Sequence, residues 1–280
     1  MEYKLQYFGA ILLTVFITSC KAQHSSVVKE NAKLVQVSNE YSFTEGPASD
    51  KFGNVYFTDQ PNDKIIKWDA ANNSLSIFKE PAGRANGLYF DHNDKLLAAA
   101  DENNELWRID SNGNIDTLIT TFEGKKLNGP NDIWVDLSGG IYFTDPYYQR
   151  EYWSRTSADI KEKNVYYISP DMKQVSIVAE GLTQPNGIIG TPDGKILYVA
   201  DIGDKKTYSF SIQDDGKLKN RKLFTDMGSD GMTIDNQGNI YLTGDGVKIF
   251  NKNGKQIHHI AVDEKWTANV TFGGKNQDIL

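Results

Sequence analysis

Cysteine is almost absent from this 280-residue chain: Cys20 is the only one, so no intramolecular disulfide can form. Histidine is nearly as scarce. His24 lies near the N-terminus, His92 in a turn pattern and His258–His259 in a late strand pattern. None of the four recurs at equivalent positions of a repeat, which leaves a histidine-based triad or zinc centre without its ligands. P-loop and dinucleotide-type glycine patterns are missing too. Basic residues are outnumbered, 30 Lys and Arg against 37 Asp and Glu, for a formal net charge of −7. A surface of that sign repels a phosphate backbone and argues against a nucleic-acid partner. The apolar run at residues 8–17 has about ten residues, too short to cross a bilayer.

That run follows Lys4 and precedes Ser19–Cys20, the layout of a secretory signal. The tetrad Ile17-Thr18-Ser19-Cys20 resembles the bacterial lipobox, in which the cysteine is lipidated and becomes the mature N-terminus. The expectation is a signal peptide over residues 1–19, a lipidated Cys20 with a polar tether over 20–33, and one domain over 34–280. A lipid on Cys20 would place the protein in a bacterial cell envelope, in the periplasm or at the outer membrane, touching the membrane only through its anchor. The alternative is a signal peptide that ends beside an incidental free cysteine.

Two markers recur beyond the tether. The first is a turn, then a strand, ending at or near Asp: DKFGNVYFTD to Asp59, DHNDKLLAAAD to Asp101, DLSGGIYFTD to Asp145, TPDGKILYVAD to Asp201 and DNQGNIYLTGD to Asp245. Their spacings are 42, 44, 56 and 44 residues. The second marker precedes each of these units and occurs once more near the C-terminus: Glu45, Asn86, Asn131, Asn186, Asp230 and Asn269, spaced by 41, 45, 55, 44 and 39. Each is followed by a short apolar strand. A period in the low forties with strands and no helical periodicity predicts an all-β fold, a six-bladed β-propeller of four-stranded blades. The last blade reads as incomplete at the C-terminus, because the chain stops at Leu280 where the other repeats would still add a strand or two. The long third interval is filled by PYYQREYWSRTSADIKEKN, a loop rich in Tyr, Trp and charge. It either lines a site at one face, through Tyr147, Tyr148 and Trp153, or packs on the domain itself.

Equivalent positions of all blades meet around a propeller's axis. The second marker therefore gathers six oxygen-bearing side chains, two anionic and four neutral amides, at one end of the channel. Oxygen donors without His or Cys suit a hard divalent cation, Ca²⁺ ahead of Mg²⁺. The competing reading treats Asn-Gly and Asp-Gly as ordinary turn dipeptides. The first-marker Asp residues are expected to be structural, bonding backbone at strand ends.

EGPASDKFGNVYFTD, GPNDIWVDLSGGIYFTDP, QPNGIIGTPDGKILYVAD and SDGMTIDNQGNIYLT together resemble the SMP-30/gluconolactonase/luciferin-regenerating family over residues 40 to 275. The resemblance implies a catalytic divalent ion at the channel mouth, commonly Ca²⁺, with Mg²⁺, Mn²⁺ or Zn²⁺ as other candidates. It implies Glu45, Asn131, Asn186 and Asp230 as ligands, with Asp132 in reserve and Asn86 lining the channel. Asp230 is the expected general base, with a role as ligand alone as its competitor. The implied reaction is hydrolysis of a sugar lactone. Its alternatives are ester or phosphotriester hydrolysis at the same site, or an anchored propeller that only binds a sugar acid or a protein partner. One departure stands out: animal members carry an arginine where this chain has Gly129.

Overall fold

A computed structural model describes residues 27–280. The segment expected to be a signal peptide, Cys20 and the first part of the expected tether lie outside the described residues. Gln36–Leu280 forms one compact unit. No helix among the described residues is long and apolar enough to cross a membrane.

Five four-stranded antiparallel sheets follow one another, each meandering outward in chain order. Blade 1 consists of Thr44–Ser49, Val55–Asp59, Lys64–Asp69 and Ser74–Lys79. Blades 2 to 5 begin on the inner strands Ala85–Phe90, Ile133–Val135, Pro185–Gly190 and Met232–Ile234. A two-stranded hairpin, Thr121–Phe122 with Lys125–Lys126, bridges blades 2 and 3. The sixth position is held by the C-terminal segment, whose only bridge is Gly273 with Ile279. This segment sits between blade 5 and blade 1. The Ala268 carbonyl accepts from Gly231 N–H at 2.8 Å, and Gly274 N–H donates to the Gly53 carbonyl at 2.9 Å. The ring thus has five full blades and an incomplete sixth.

Burial follows distance from the axis. In the second strand of blade 3, Ile141–Asp145, every side chain is buried, because packed sheet lies on both of its faces. In the outermost strand of blade 4, Leu218–Thr225, most are exposed. Aromatics fill the wedges between blades. Trp134, Tyr142, Tyr167, Leu197 and Phe210 share one core cluster, and the Tyr142 hydroxyl donates to the Gly216 carbonyl at 2.7 Å across two blades. Each such side chain removed from water contributes about 1.5–3 kcal/mol.

Inner strands approach one another very closely, and this explains the glycines after the markers. A Cβ on Gly87 would lie 2.2 Å from the Asn131 carbonyl, and one on Gly231 only 1.9 Å from the Asn269 side chain. These Asn-Gly and Asp-Gly pairs are therefore not hairpin turns: Asn86–Gly87 and Asn186–Gly187 lie within strands. Threonines lock the spacing. Thr58, Thr144 and Thr243 donate their hydroxyls to the carbonyls of Asn86, Asn186 and Ala268, each on the following blade, at 3.0, 2.7 and 2.8 Å.

Candidate active site

Strand register sends both marker series to one rim. Glu45 faces Thr58 and Thr44 faces Asp59, while Pro185 faces Asp201. The second marker then forms the mouth of the channel. Glu45, Asn86, Asn131 and Asn186 are buried there, and Asp230 and Asn269 are partly buried. Asn186 Nδ2 donates to Asp230 Oδ1 at 2.7 Å, and Asn269 Nδ2 donates to Glu45 Oε2 at 3.0 Å. Glu45 Oε2 also accepts from its neighbour Gly46 N–H at 2.9 Å. Asp132, next to Asn131, is buried with its carboxylate accepting from Ile133 N–H at 3.1 Å and Ile188 N–H at 3.4 Å.

Three carboxylates from three blades thus lie within electrostatic reach of one another, and none of them forms an ion pair with a Lys or Arg among the described residues. Burial raises the affinity of each for a proton. Glu45 is raised by burial and then by the charge of Asp230. Asp132 is pushed up to about 7, chiefly by burial, with Asp230 adding to it. Asp230 is raised by burial, against the hydrogen bonds of Trp266 and Asn186. Negative charge held out of water without a counter-charge is costly unless a proton or a cation neutralises it.

The donor set fits a divalent cation. Glu45 Oε1 and the amide oxygens of Asn131 and Asn186 accept no hydrogen bond from any described residue. Those atoms and the Asp230 carboxylate are hard oxygen donors of mixed charge, the chemistry that Ca²⁺ takes. No group of three or more His, Cys, Asp or Glu gathers as a metal cluster among the described residues; half of this donor set is amide. Asn269 belongs to a different role. Its Oδ1 accepts from Val270 N–H and its amide holds Glu45, so it orients a carboxylate.

The inserted loop of blade 3 behaves unevenly. Tyr148 reaches the mouth, its hydroxyl accepting from Asn186 Nδ2 at 3.0 Å. Tyr147 bonds Gln149 on the exposed side. Trp153 corrects the expectation that it covers a bound ring: it is buried, its Nε1 donates to the Asp101 carbonyl at 2.8 Å, and Arg155 stacks over it. Gly129 explains its position, since a Cβ there would lie 2.8 Å from Asp101 Oδ1 and 3.1 Å from the Trp153 ring. A side chain at 129 and this packing of Trp153 exclude each other.

First-marker aspartates divide as well. Asp59, Asp145 and Asp201 each bind two successive backbone N–H groups of the segment entering their blade: Ser42 and Phe43, Asn128 and Gly129, Thr183 and Gln184. Asp101 instead takes the side chains of Arg150 at 2.8 Å, Tyr152 at 2.6 Å and Gln60 at 3.2 Å, pinning the inserted loop. Asp245 is out of register by one residue. Gly244 occupies the equivalent position, and Asp245 lies at the exposed turn between Gly244 and Gly246.

Sequence reasoning missed Trp266. Its Nε1 donates to Asp230 Oδ2 at 2.7 Å although the side chain is 49% exposed. Trp266 stands three places before Asn269, in a connection that the repeat does not index.

A propeller whose inner strands bring amide and carboxylate oxygens to one mouth defines a class of proteins with an oxygen-lined polar centre. The profile of the SMP-30/Gluconolactonase/LRE-like region matches residues 43–280, and the chain belongs to that family. It is 28% identical to a gluconolactonase of Zymomonas mobilis, over 94% of this chain and 82% of that protein. A gluconolactonase structure from Xanthomonas campestris superposes with a TM-score of 0.79 at 25% identity, covering 85% of this chain and 86% of that one. A calcium-binding regucalcin from Agrobacterium tumefaciens shares the fold, with a TM-score of 0.70 at 21% identity over 85% and 80% of the two chains.

Proposed function

We propose that this protein is a divalent-cation-dependent hydrolase that opens a sugar lactone. The observation that carries the reading is that Glu45, Asn131, Asn186 and Asp230 stand at the inner ends of four blades, with Asn186 bonded to Asp230 and neither acid ion-paired to a Lys or Arg among the described residues. Similarity to a gluconolactonase over nearly the whole chain supports hydrolase activity of this general class. The calcium-binding relative and the oxygen-only donors favour Ca²⁺.

Glu45, Asn131, Asn186 and Asp230 would hold the cation, which supplies Lewis acidity toward a bound carbonyl. Asp230 accepts the proton of the attacking water. The water oxygen forms the new bond to the acyl carbon, the ring oxygen leaves with a proton, and a hydroxy acid results. Asn186 and Trp266 hold the two oxygens of Asp230 and fix the direction in which its carboxylate faces. Asn269 does the same for Glu45. Tyr148 borders the cleft, the Asp132 side chain lines the channel beneath, and Asn86 is buried at the equivalent position of blade 2.

The test is a hydrolysis assay on δ-gluconolactone, phenyl acetate and a phosphotriester, after chelation and with Ca²⁺, Mg²⁺, Mn²⁺ or Zn²⁺ restored. The expected result is lactone turnover that chelation abolishes and Ca²⁺ restores. Full turnover in chelator would remove the cation from the reading, and turnover only of the phosphotriester would remove the lactone. We further propose export and anchoring through Cys20, for which a Cys20→Ala variant should lose palmitate labelling in a bacterial host.

A further inference from the structure

We propose that Trp266 is a substrate-binding residue whose indole forms a platform for the sugar ring while its N–H orients Asp230; this rests on the lactonase reading above. Three observations converge on it. First, Trp266 is half exposed, yet its one polar atom is committed to a carboxylate of the mouth. Three of the other tryptophans use their N–H groups for local or loop packing. Trp68 bonds Asn73 and Trp107 bonds Glu105, within their own hairpins, and Trp153 bonds the Asp101 carbonyl beneath the loop.

Second, the indole stands on a fixed base. Its ring carbons pass 3.6 and 3.7 Å from where a Cβ of Gly244 would lie, and the Met227 methyl lies 3.9 Å from that same point. The backbone directly behind it is tied down by Thr267 N–H to the Gly244 carbonyl at 2.9 Å. The Ala268 carbonyl accepts from Gly231 N–H and the Thr243 hydroxyl, both at 2.8 Å. A large exposed apolar face held this rigidly loses little conformational freedom when a ligand covers it.

Third, the hydrogen bonds run in one line, Trp266 to Asp230, Asn186 to Asp230, and Asn186 to Tyr148. Two aromatic side chains therefore flank the proposed base, one from the inserted loop and one from the C-terminal segment. Such a slot suits a flat, hydroxylated ring: aromatic faces take its C–H faces and polar edges take its hydroxyls. On this inference the incomplete sixth blade contributes directly to the site.

The experiment uses the full-length chain, loaded with Ca²⁺, as wild type, Trp266→Phe and Trp266→Ala. Each is titrated with D-glucono-δ-lactam while tryptophan emission is read, and each is assayed on δ-gluconolactone for kcat and KM separately. Melting temperature and the far-ultraviolet circular dichroism spectrum serve as folding controls. The lactam should shift wild-type emission, and the shift should vanish in Trp266→Phe. Trp266→Phe keeps a ring and loses the N–H, so kcat should fall about 10-fold with KM within about threefold. Trp266→Ala should also raise KM about 10-fold. Wild-type turnover with both variants inside twofold in kcat and KM, and no emission shift, overturns the inference and leaves the lactonase reading standing. An emission shift without turnover supports the platform and removes that reading; neither shift nor turnover overturns both.

Discussion

Asp132 and Asp136 stand four residues apart at the two ends of one inner strand, and they live in opposite circumstances. Asp136, on the turn rim, accepts from Ser138 N–H at 2.8 Å, the Ser138 hydroxyl at 2.6 Å, Gly140 N–H at 2.9 Å and the Tyr167 hydroxyl at 3.1 Å. Asp235 and Asp50 do the same in their own turns, with Asn239 and Asn54 closing each loop. Exposed Asp110 is held below the usual carboxylate range by such bonds from Asn114. Asp132, at the mouth, receives two longer bonds, and burial pushes it up to about 7. The same residue types thus serve two ends. Where partners come from the residue's own turn, charge is satisfied and the role is structural. Where acids converge from several blades with few donors, charge is left over, and leftover charge out of water marks a site for something else.

Breaking this comparison at the mouth should have the largest effect. Asp230→Ala should lower kcat/KM on δ-gluconolactone by about 10³-fold, with the melting temperature of the cation-free protein unchanged or higher, because a buried like charge is gone. A loss of folding in circular dichroism would instead assign Asp230 to the scaffold.

The pH dependence of cation binding comes next. Burial pushes Glu45 up to about 8 and raises Asp230, so a cation entering the mouth competes with protons for these carboxylates. Affinity should therefore tighten as pH rises and weaken as it falls, by about tenfold per pH unit for each proton displaced. Titration of Ca²⁺ at several pH values checks the slope; a flat response would mean that those carboxylates are not the ligands.

At the turn rim the same type of change should act on stability alone. Asp136→Ala leaves buried donors at Gly140 and Tyr167 unpaired and should cost about 2 kcal/mol in denaturant unfolding, with kcat unaltered. The smallest effect is expected at Tyr147→Phe. Its hydroxyl contacts Gln149 away from the mouth, and kinetic constants should stay within about twofold.

Much of the architecture was legible because the repeat carries it. The strands Ile133–Val135 and Met232–Ile234 fall where the pattern puts them, and the markers converge because equivalent positions of a propeller must. What escaped lies off the repeat. Asp245 looked equivalent to Asp201, but Gly244 pairs with Gly246 and takes that register position, leaving Asp245 alone at the tip of a turn shorter than that of blade 4. Trp153 looked like a ligand-facing aromatic, and only the packing of Gly129 against it shows a buried strut. Trp266 was missed because it belongs to a connection, where no periodicity points. The glycines after the markers read as turn residues because composition does not distinguish a turn from two backbones pressed together.

The most direct measurement is a calorimetric titration of Ca²⁺ into chelator-treated wild type and Glu45→Gln protein. If four blades build one cage, wild type binds one equivalent at the mouth, and removing the Glu45 charge weakens it by about tenfold or more. Identical isotherms for the two proteins, or no binding in a protein that still turns over lactone, would contradict the cage.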